Sequence, residues 1–234
     1  MGSKGEQGWI LQPTSRPSLA VTGSELRFPV HRIYCVGQNY REHAREMGDS
    51  GRKPPFFFAK PSDATTQATC VPYPPMTRNL HHEVELVVAL GSGGRNIEPG
   101  RALSLVWGYA VGVDLTRRDL QAAAKQAGRP WTTAKGFDDS APVSALQPVG
   151  PDGHPGSAAI SLSVNGVPRQ QGSTADMTWS VPEIIAELSR FFELRAGDLI
   201  FTGTPPGVGP LQAGDRVECE IEGVAHLAFR MGAR

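Results

Sequence analysis

The chain is short of cysteine, of net charge and of long apolar runs, and each shortage narrows what it can be. Its three cysteines, Cys35, Cys70 and Cys219, are far apart, odd in number and in no Cys-x-x-Cys pair. That sets aside a disulfide framework and points to buried thiols in a reducing compartment. A cysteine–histidine catalytic pair is also disfavoured, because each cysteine sits in an apolar, strand-like context. Lys+Arg and Asp+Glu both number 23, so the net charge is zero. There is no charge excess to suit a nucleic acid or an anionic membrane, although zero net charge is compatible with self-association. No apolar run approaches the roughly 20 residues that span a bilayer. The N-terminus lacks the basic-then-apolar pattern of a signal peptide. Met1-Gly2 is not followed by the Ser or Thr at position 6 that myristoylation prefers. The expectation is a soluble cytoplasmic protein with no nucleic-acid or membrane partner.

What is present fits a globular protein: 39% of the 234 residues are hydrophobic and 20% charged. That length allows one domain with a sizeable core and a small N-terminal piece. Residues 1–30 carry no chemical motif and are expected to wrap the surface as an extension; residues 31–234 are expected to form the domain. The 27 glycines and 20 prolines imply many turns and short elements. Strands are expected over His31–Val36, Phe56–Ala59, Leu80–Leu90, Val106–Leu115 and Asp198–Thr202. Hairpins join Ile160–Val164 to Val167–Gln170 through an Asn165-Gly166 turn, and Arg216–Ile221 to Ala225–Phe229. Helices are expected over residues 39–47, over Arg118–Ala127, and after the capping box Ser180-Val181-Pro182-Glu183, with Ile184, Ile185, Leu188, Phe191 and Phe192 as the apolar stripe. Strands outnumber helices, which gives the class α+β, β-rich: a mixed β-roll or barrel with a few peripheral helices, not a doubly wound sheet.

The chemistry starts at Glu83 and Glu85. Positions two apart in a strand share a face, so two carboxylates project together beside an apolar run. A bound cation would relieve their repulsion. Asp114 ends another apolar strand, and three carboxylates form a hard oxygen set suited to Mg²⁺, Mn²⁺ or Ca²⁺. His81 shares the strand face and leaves zinc or iron as a lesser option. The plain alternative is a solvated face opposite Val84 and Leu86. His43 and Glu46 are three apart, so on a helix a carboxylate could fix an imidazole tautomer and make it a base toward water; an ordinary surface pair is the commoner meaning of that spacing. Lys60, Lys135, Arg117 and Arg118 are candidate anion-stabilising cations, with Gln121 on the helix face of Arg118. Surface salt bridging is the alternative for each. The glycine-rich turn after Thr202 could offer backbone N–H groups to an anion, but it lacks the lysine and spacing of a nucleotide-binding loop.

These segments together resemble the fumarylacetoacetate hydrolase family. The resemblance is carried by Gly37-Gln38-Asn39-Tyr40 through His43 and Glu46, Phe58-Ala59-Lys60-Pro61-Ser62, Arg78 to Leu86, Gly112 to Asp119, Ala134-Lys135-Gly136-Phe137-Asp138, and Thr202-Gly203-Thr204-Pro205. It is strongest with the acylpyruvate and fumarylpyruvate hydrolase branch. It implies the family's β-rich roll and a homodimer, with Mg²⁺ or Mn²⁺ on Glu83, Glu85 and Asp114. It further implies a water-activating dyad of His43 and Glu46, an enolate-stabilising Lys135, and Lys60, Arg118, Gln121 and Thr204 facing the substrate or supporting the site. The implied reaction is metal-dependent hydrolysis of a 2,4-diketo acid to pyruvate and a carboxylic acid. Decarboxylation of oxaloacetate on the same metal is the rival, and a non-catalytic metal-stabilised dimer the remote one. Isomerases of the family are set aside as acting on longer diacids. Arg45, Met76 and Trp131 are the positional candidates for the acyl pocket.

Overall fold

Two paired strands bend at the same point, and the fold is arranged around that bend. A computed structural model describes residues 10–12, 14–40 and 53–233. Val84–Leu90 runs antiparallel to Val106–Val113 in a six-stranded sheet. Just before it, Leu80–His82 pairs with Thr116–Arg117 in a separate three-stranded sheet completed by Gly209–Leu211. The expected single strand Leu80–Leu90 is thus two strands, with Glu83 in the link. The cause is long-range: the partner chain turns at Asp114, whose N–H still donates to the Glu83 carbonyl at 2.8 Å, so the pair swings together into the smaller sheet.

The six-stranded sheet runs, edge to edge, Gln147–Pro148, Val106–Val113, Val84–Leu90, Leu199–Phe201, Ile33–Gly37 and Phe56–Lys60. Val84–Leu90 is buried throughout, as a strand that is apolar at every position but Glu85 requires when both faces are covered. Val84, Leu86, Val88 and Leu90 enter the main core. There they join Ile160, Leu162, Val217 and Ile221 of the five-stranded sheet that contains both expected hairpins. Val87 and Ala89 point the other way, into a second core with Leu19, Phe28, Cys35 and Phe201. Each fully buried aliphatic side chain contributes about 1.5–3 kcal/mol. The second face also carries small residues, Ala110 and Gly112, and the Glu85 side chain leaves the strand on this same face. Gly112 is paired directly with Glu85. A Cβ there would lie 2.7 Å from Val87 Cγ2 and 2.8 Å from Phe201 Cε1, so only glycine lets the strands close beside the carboxylate.

The Asn165-Gly166 turn has φ of 53° and 76°, as a type I′ turn requires. The Ser180 N–H donates to Glu183 Oε2 at 2.9 Å and starts the helix Val181–Phe191. Ile184, Ile185 and Leu188 of this helix are buried, whereas Phe191 and Phe192 are exposed. The helix stops at Phe191, so these two rings fall at its end; Phe191 packs edgewise on Phe57 and Phe192 lies tilted against Tyr34. Residues 18–29 form an unforeseen hairpin, Ser18–Val21 with Ser24–Pro29, and its Leu19 and Phe28 belong to the second core. The expected helix over 39–47 lies outside the described residues from position 41 onward; Asn39 and Tyr40 are not helical.

Replacing Gly112 with alanine forces the strands apart at Glu85. The expected cost is about 1–3 kcal/mol, read as a lower melting temperature in thermal denaturation. An unchanged melting temperature would contradict the close approach.

Candidate metal centre

The bend gathers three carboxylates. Glu83 occupies the link between the two strands, Glu85 follows two residues on, and Asp114 stands just past Val106–Val113. One oxygen from each lies within 4.8 Å of the others. All three are buried, at 6%, 2% and 0% exposure, which rules out a solvated face. His81 is not one of this group. Its ring is bonded to Asn79 Oδ1 at 2.9 Å and receives a long 3.4 Å contact from Arg118 Nε. Burial, and then the Arg118 charge, lower its pKa to about 4.

A buried charge costs several kcal/mol in lost hydration unless it is paired, and two of the three carboxylates are well paired. Lys135 Nζ lies 2.8 Å from Glu83 Oε2 and 2.6 Å from Asp114 Oδ2. Lys60 Nζ lies 2.8 Å from Asp114 Oδ1, and Arg118 Nη2 pairs with Glu83 Oε1. Burial alone would raise the Glu83 pKa, but Lys135 and Arg118 outweigh it and hold it at about 2. Lys135, on the short helix Thr132–Lys135, is likewise opposed by burial, yet Asp114 and Glu83 raise its pKa and keep it an ammonium.

Glu85 differs. No described cation pairs with it. The Gly203 N–H donates to its Oε2 at 2.6 Å, so the glycine-rich turn spends this donor on a side chain of the protein itself. Burial, then the charges of Asp114 and Glu83, push the Glu85 pKa well above the ordinary carboxylate range. Three carboxylates face three cations, Lys60, Lys135 and Arg118, so an ionised Glu85 makes the cluster neutral overall but leaves itself without a counterion. An all-oxygen set with one uncompensated buried carboxylate fits a hard divalent cation.

The remaining candidates divide by depth. Lys60 is 3% exposed and donates to Ser140 O and Ser140 Oγ, each at 3.0 Å, and to the Lys135 carbonyl. It braces Asp114 and the turn after Lys135 and does not line the cavity. Arg118 opens the helix Arg118–Gln126 and its Nη1 donates to Gln121 Oε1 at 2.6 Å. Both line the cavity over the triad, as do Thr204, Phe56, Phe58 and Trp131. Thr204 Oγ1 donates to the Val84 carbonyl at 2.8 Å. Arg117 is turned away, with its guanidinium 4.3 Å from the Phe137 ring centroid. Met76 is 81% exposed and is not among the residues lining this cavity. His43, Arg45 and Glu46 lie outside the described residues.

One supporting residue escaped the sequence reading. Gln170 is fully buried; its Nε2 donates to Thr204 Oγ1 at 2.7 Å, and its Oε1 accepts from the Val84 N–H at 3.1 Å and meets His82 Nδ1 at 2.8 Å. It ties the five-stranded sheet to the strand that carries Glu85. Nothing in its polar neighbourhood, Arg169-Gln170-Gln171, marked it.

The raised Glu85 pKa has a direct consequence for stability. The unfolded chain ionises Glu85 near the ordinary value and the folded chain ionises it only at higher pH, so the folded state binds the extra proton between the two. Metal-free protein is therefore expected to lose stability as pH rises through that interval. Glu83 has the opposite sign: its contribution is present above the ordinary value and is lost as pH falls toward 2. Thermal melts of EDTA-treated protein from about pH 5 to 8 check this. Saturating divalent metal or Glu85→Gln is expected to flatten the slope; a slope that survives Glu85→Gln would refute the assignment.

The sequence and the fold are similar to those of known proteins. The model of the family described as fumarylacetoacetate (FAA) hydrolase, C-terminal, matches residues 32–231. The solved structure of fumarylpyruvate hydrolase from Pseudomonas aeruginosa in complex with Mn²⁺ and pyruvate is 49% identical, with a TM-score of 0.93, over 97% of this chain and 100% of that one. Oxaloacetate tautomerase YcgM of Escherichia coli (strain K12) is 43% identical over 203 residues, 86% of this chain and 93% of its own length. The mitochondrial oxaloacetate tautomerase FAHD1 of Mus musculus is 44% identical over 200 residues, 85% of this chain and 90% of its own. The chain belongs to the fumarylacetoacetate hydrolase family.

Proposed function

We propose that the protein is a metal-dependent hydrolase that cleaves the C–C bond of a 2,4-diketo acid, most directly fumarylpyruvate, to pyruvate and a carboxylic acid such as fumarate. The observation that carries this reading is the 49% identity, over nearly the whole chain, with a fumarylpyruvate hydrolase solved with Mn²⁺ and pyruvate. In this proposal Glu83, Glu85 and Asp114 hold Mg²⁺ or Mn²⁺. When bound, the cation supplies Lewis-acid charge to the 2-oxo acid end of the substrate. With it the centre has two positive charges in excess, which suits a dianionic substrate.

The protein's own groups then have distinct tasks. Lys135, held as an ammonium, offers positive charge to the enolate that develops on the pyruvate half. Arg118, Gln121 and Thr204 orient the substrate, and Lys60 keeps Asp114 and Lys135 in place. Lys135 is held as an ammonium and so does not serve as the base. We assign that part to His43, oriented by Glu46, in the segment that follows the cavity-lining Gln38. His43 takes a proton from water, hydroxide attacks the distal carbonyl, and the C–C bonding pair passes to the pyruvate half, which is then protonated. We further propose a homodimeric, cytoplasmic protein in which residues 31–234 are the catalytic domain and 1–30 its N-terminal extension. No helix of the described residues is long and apolar enough to cross a membrane.

The tautomerase relatives support a second reading, interconversion of the enol and keto forms of oxaloacetate. Isomerisation, set aside on the sequence, returns through them. It shares with hydrolysis the proton transfer at the carbon next to a 2-oxo group and needs no attack by water. Oxaloacetate decarboxylation would use the same charges.

With Mg²⁺ present, fumarylpyruvate loss by ultraviolet absorbance and pyruvate by coupled assay are expected to proceed together and to stop with EDTA. His43→Ala is expected to lower that turnover by about 10² to 10⁴ while leaving the melting temperature unchanged. Silence on fumarylpyruvate with fast oxaloacetate enol–keto exchange would select the tautomerase, and CO₂ release from oxaloacetate the decarboxylase. Wild-type turnover in His43→Ala would remove the dyad.

A further inference from the structure

The helix Arg118–Gln126 sends three side chains to the cavity from one face: Arg118, Gln121 and Lys125. Their spacing of three and four residues places them on successive turns. They differ in depth and in partners. The Arg118 side chain is 20% exposed and bound to Glu83 and Gln121; Gln121 is 4% exposed. Lys125, a turn farther on, is exposed at the rim. Among the described residues it forms no ion pair. Its ammonium instead lies 5.1 Å from the centroid of the Trp131 ring.

Trp131 is itself part of an aromatic wall. Its ring meets Phe56 at 5.5 Å and Phe58 at 5.7 Å, both edge-on. Phe56 lies so close to Gly37 that a Cβ there would be 2.0 Å from the ring. All of these residues line the same cavity as the triad. The cavity thus offers two anion-seeking ends, joined by flat apolar surface. One is the carboxylate cluster with Lys135 and Arg118, once the proposed cation is bound there. The other is Lys125, which has no ion pair among the described residues.

We infer that Lys125 selects substrates that carry a second carboxylate at the far end of the acyl chain, with the chain lying along Trp131, Phe56 and Phe58. This rests on the 2-oxo acid end binding at the triad, as proposed above. Length decides which diacids qualify. Seven residues of helix separate the Arg118 and Lys125 backbones by roughly 10 Å. An extended seven-carbon diacid separates its carboxylates by roughly 7 Å, and a four-carbon one by roughly half that, from ordinary bond lengths. Side chains of Arg and Lys bridge the difference for the longer acid only. Lys125 therefore favours fumarylpyruvate-like substrates over both neutral acylpyruvates and oxaloacetate.

Binding of non-cleavable analogues tests this without needing turnover. Mg²⁺-loaded protein is titrated calorimetrically with 2-oxopimelate and 2-oxoheptanoate, which have the same chain length and differ in the terminal carboxylate. The wild type is expected to prefer the diacid by roughly five- to tenfold, the scale of a partly exposed charge pair. Lys125→Met is expected to bring that ratio close to one, and Lys125→Arg to retain it. An equal affinity in the wild type, or a preference that survives Lys125→Met, would overturn the inference. If fumarylpyruvate is not hydrolysed but the Lys125-dependent preference is found, the hydrolase reading fails and the selectivity stands. If neither analogue binds, the placement of the 2-oxo acid end fails and the inference falls with it.

Discussion

One buried carboxylate without a counterion among the described residues governs this structure. Three carboxylates are buried at the bend of a strand pair, and the two lysines and one arginine around them pair with Glu83 and Asp114. Among the described residues Glu85 is left with a backbone N–H. The rest of the architecture maintains that arrangement. Gly112 allows Glu85 to sit between closely packed strands, Lys60 fixes Asp114 and the turn after Lys135, and Gln170 fixes Thr204 and the Val84 backbone. A protein stabilised by apolar contacts alone has no use for such a cluster, since replacing buried ion pairs with packed apolar groups is often stabilising. Its persistence is best understood as readiness for a cation.

That readiness also separates the roles of the two glutamates. They are two positions apart and both buried, yet one is held ionised and the other resists ionisation. The difference is made by side chains distant in sequence, Arg118 at 35 residues and Lys135 at 52 residues from Glu83. Pairs of acids pushed apart in this way mark functional sites. Around them the cavity places Lys135, held as an ammonium by Asp114 and Glu83, beside the Arg118 guanidinium, which suits it to stabilising negative charge more than to removing protons. The proposed base, His43, is accordingly assigned outside this set of side chains.

Much of this was legible in the sequence. The β-rich class followed from frequent glycine and proline and from apolar runs of strand length. The Asn165-Gly166 hairpin and the Ser180 capping box are local signals and were read correctly. The coming together of Glu83, Glu85 and Asp114 was signalled by spacing and by strand ends. Other features depend on contacts that no local pattern encodes. The break at Glu83 arises from pairing with Thr116–Arg117 and Gly209–Leu211, while the sequence from Leu80 to Leu90 reads without interruption. Gln170 sits in a polar stretch and gains its importance only from the strand opposite. Phe191 and Phe192 continue the helical periodicity but fall where the helix ends. The 18–29 hairpin has only a Thr22-Gly23 turn to announce it, and most of its second strand is exposed.

The central claim is that divalent metal completes the triad by replacing a proton on Glu85. The direct measurement is calorimetric titration of Mn²⁺ into metal-free protein, in buffers of different ionisation enthalpy, at a pH below the raised Glu85 pKa. The account predicts one tight site with release of about one proton, both lost in Glu85→Gln. Binding with no proton release, or binding undiminished in Glu85→Gln, would contradict it.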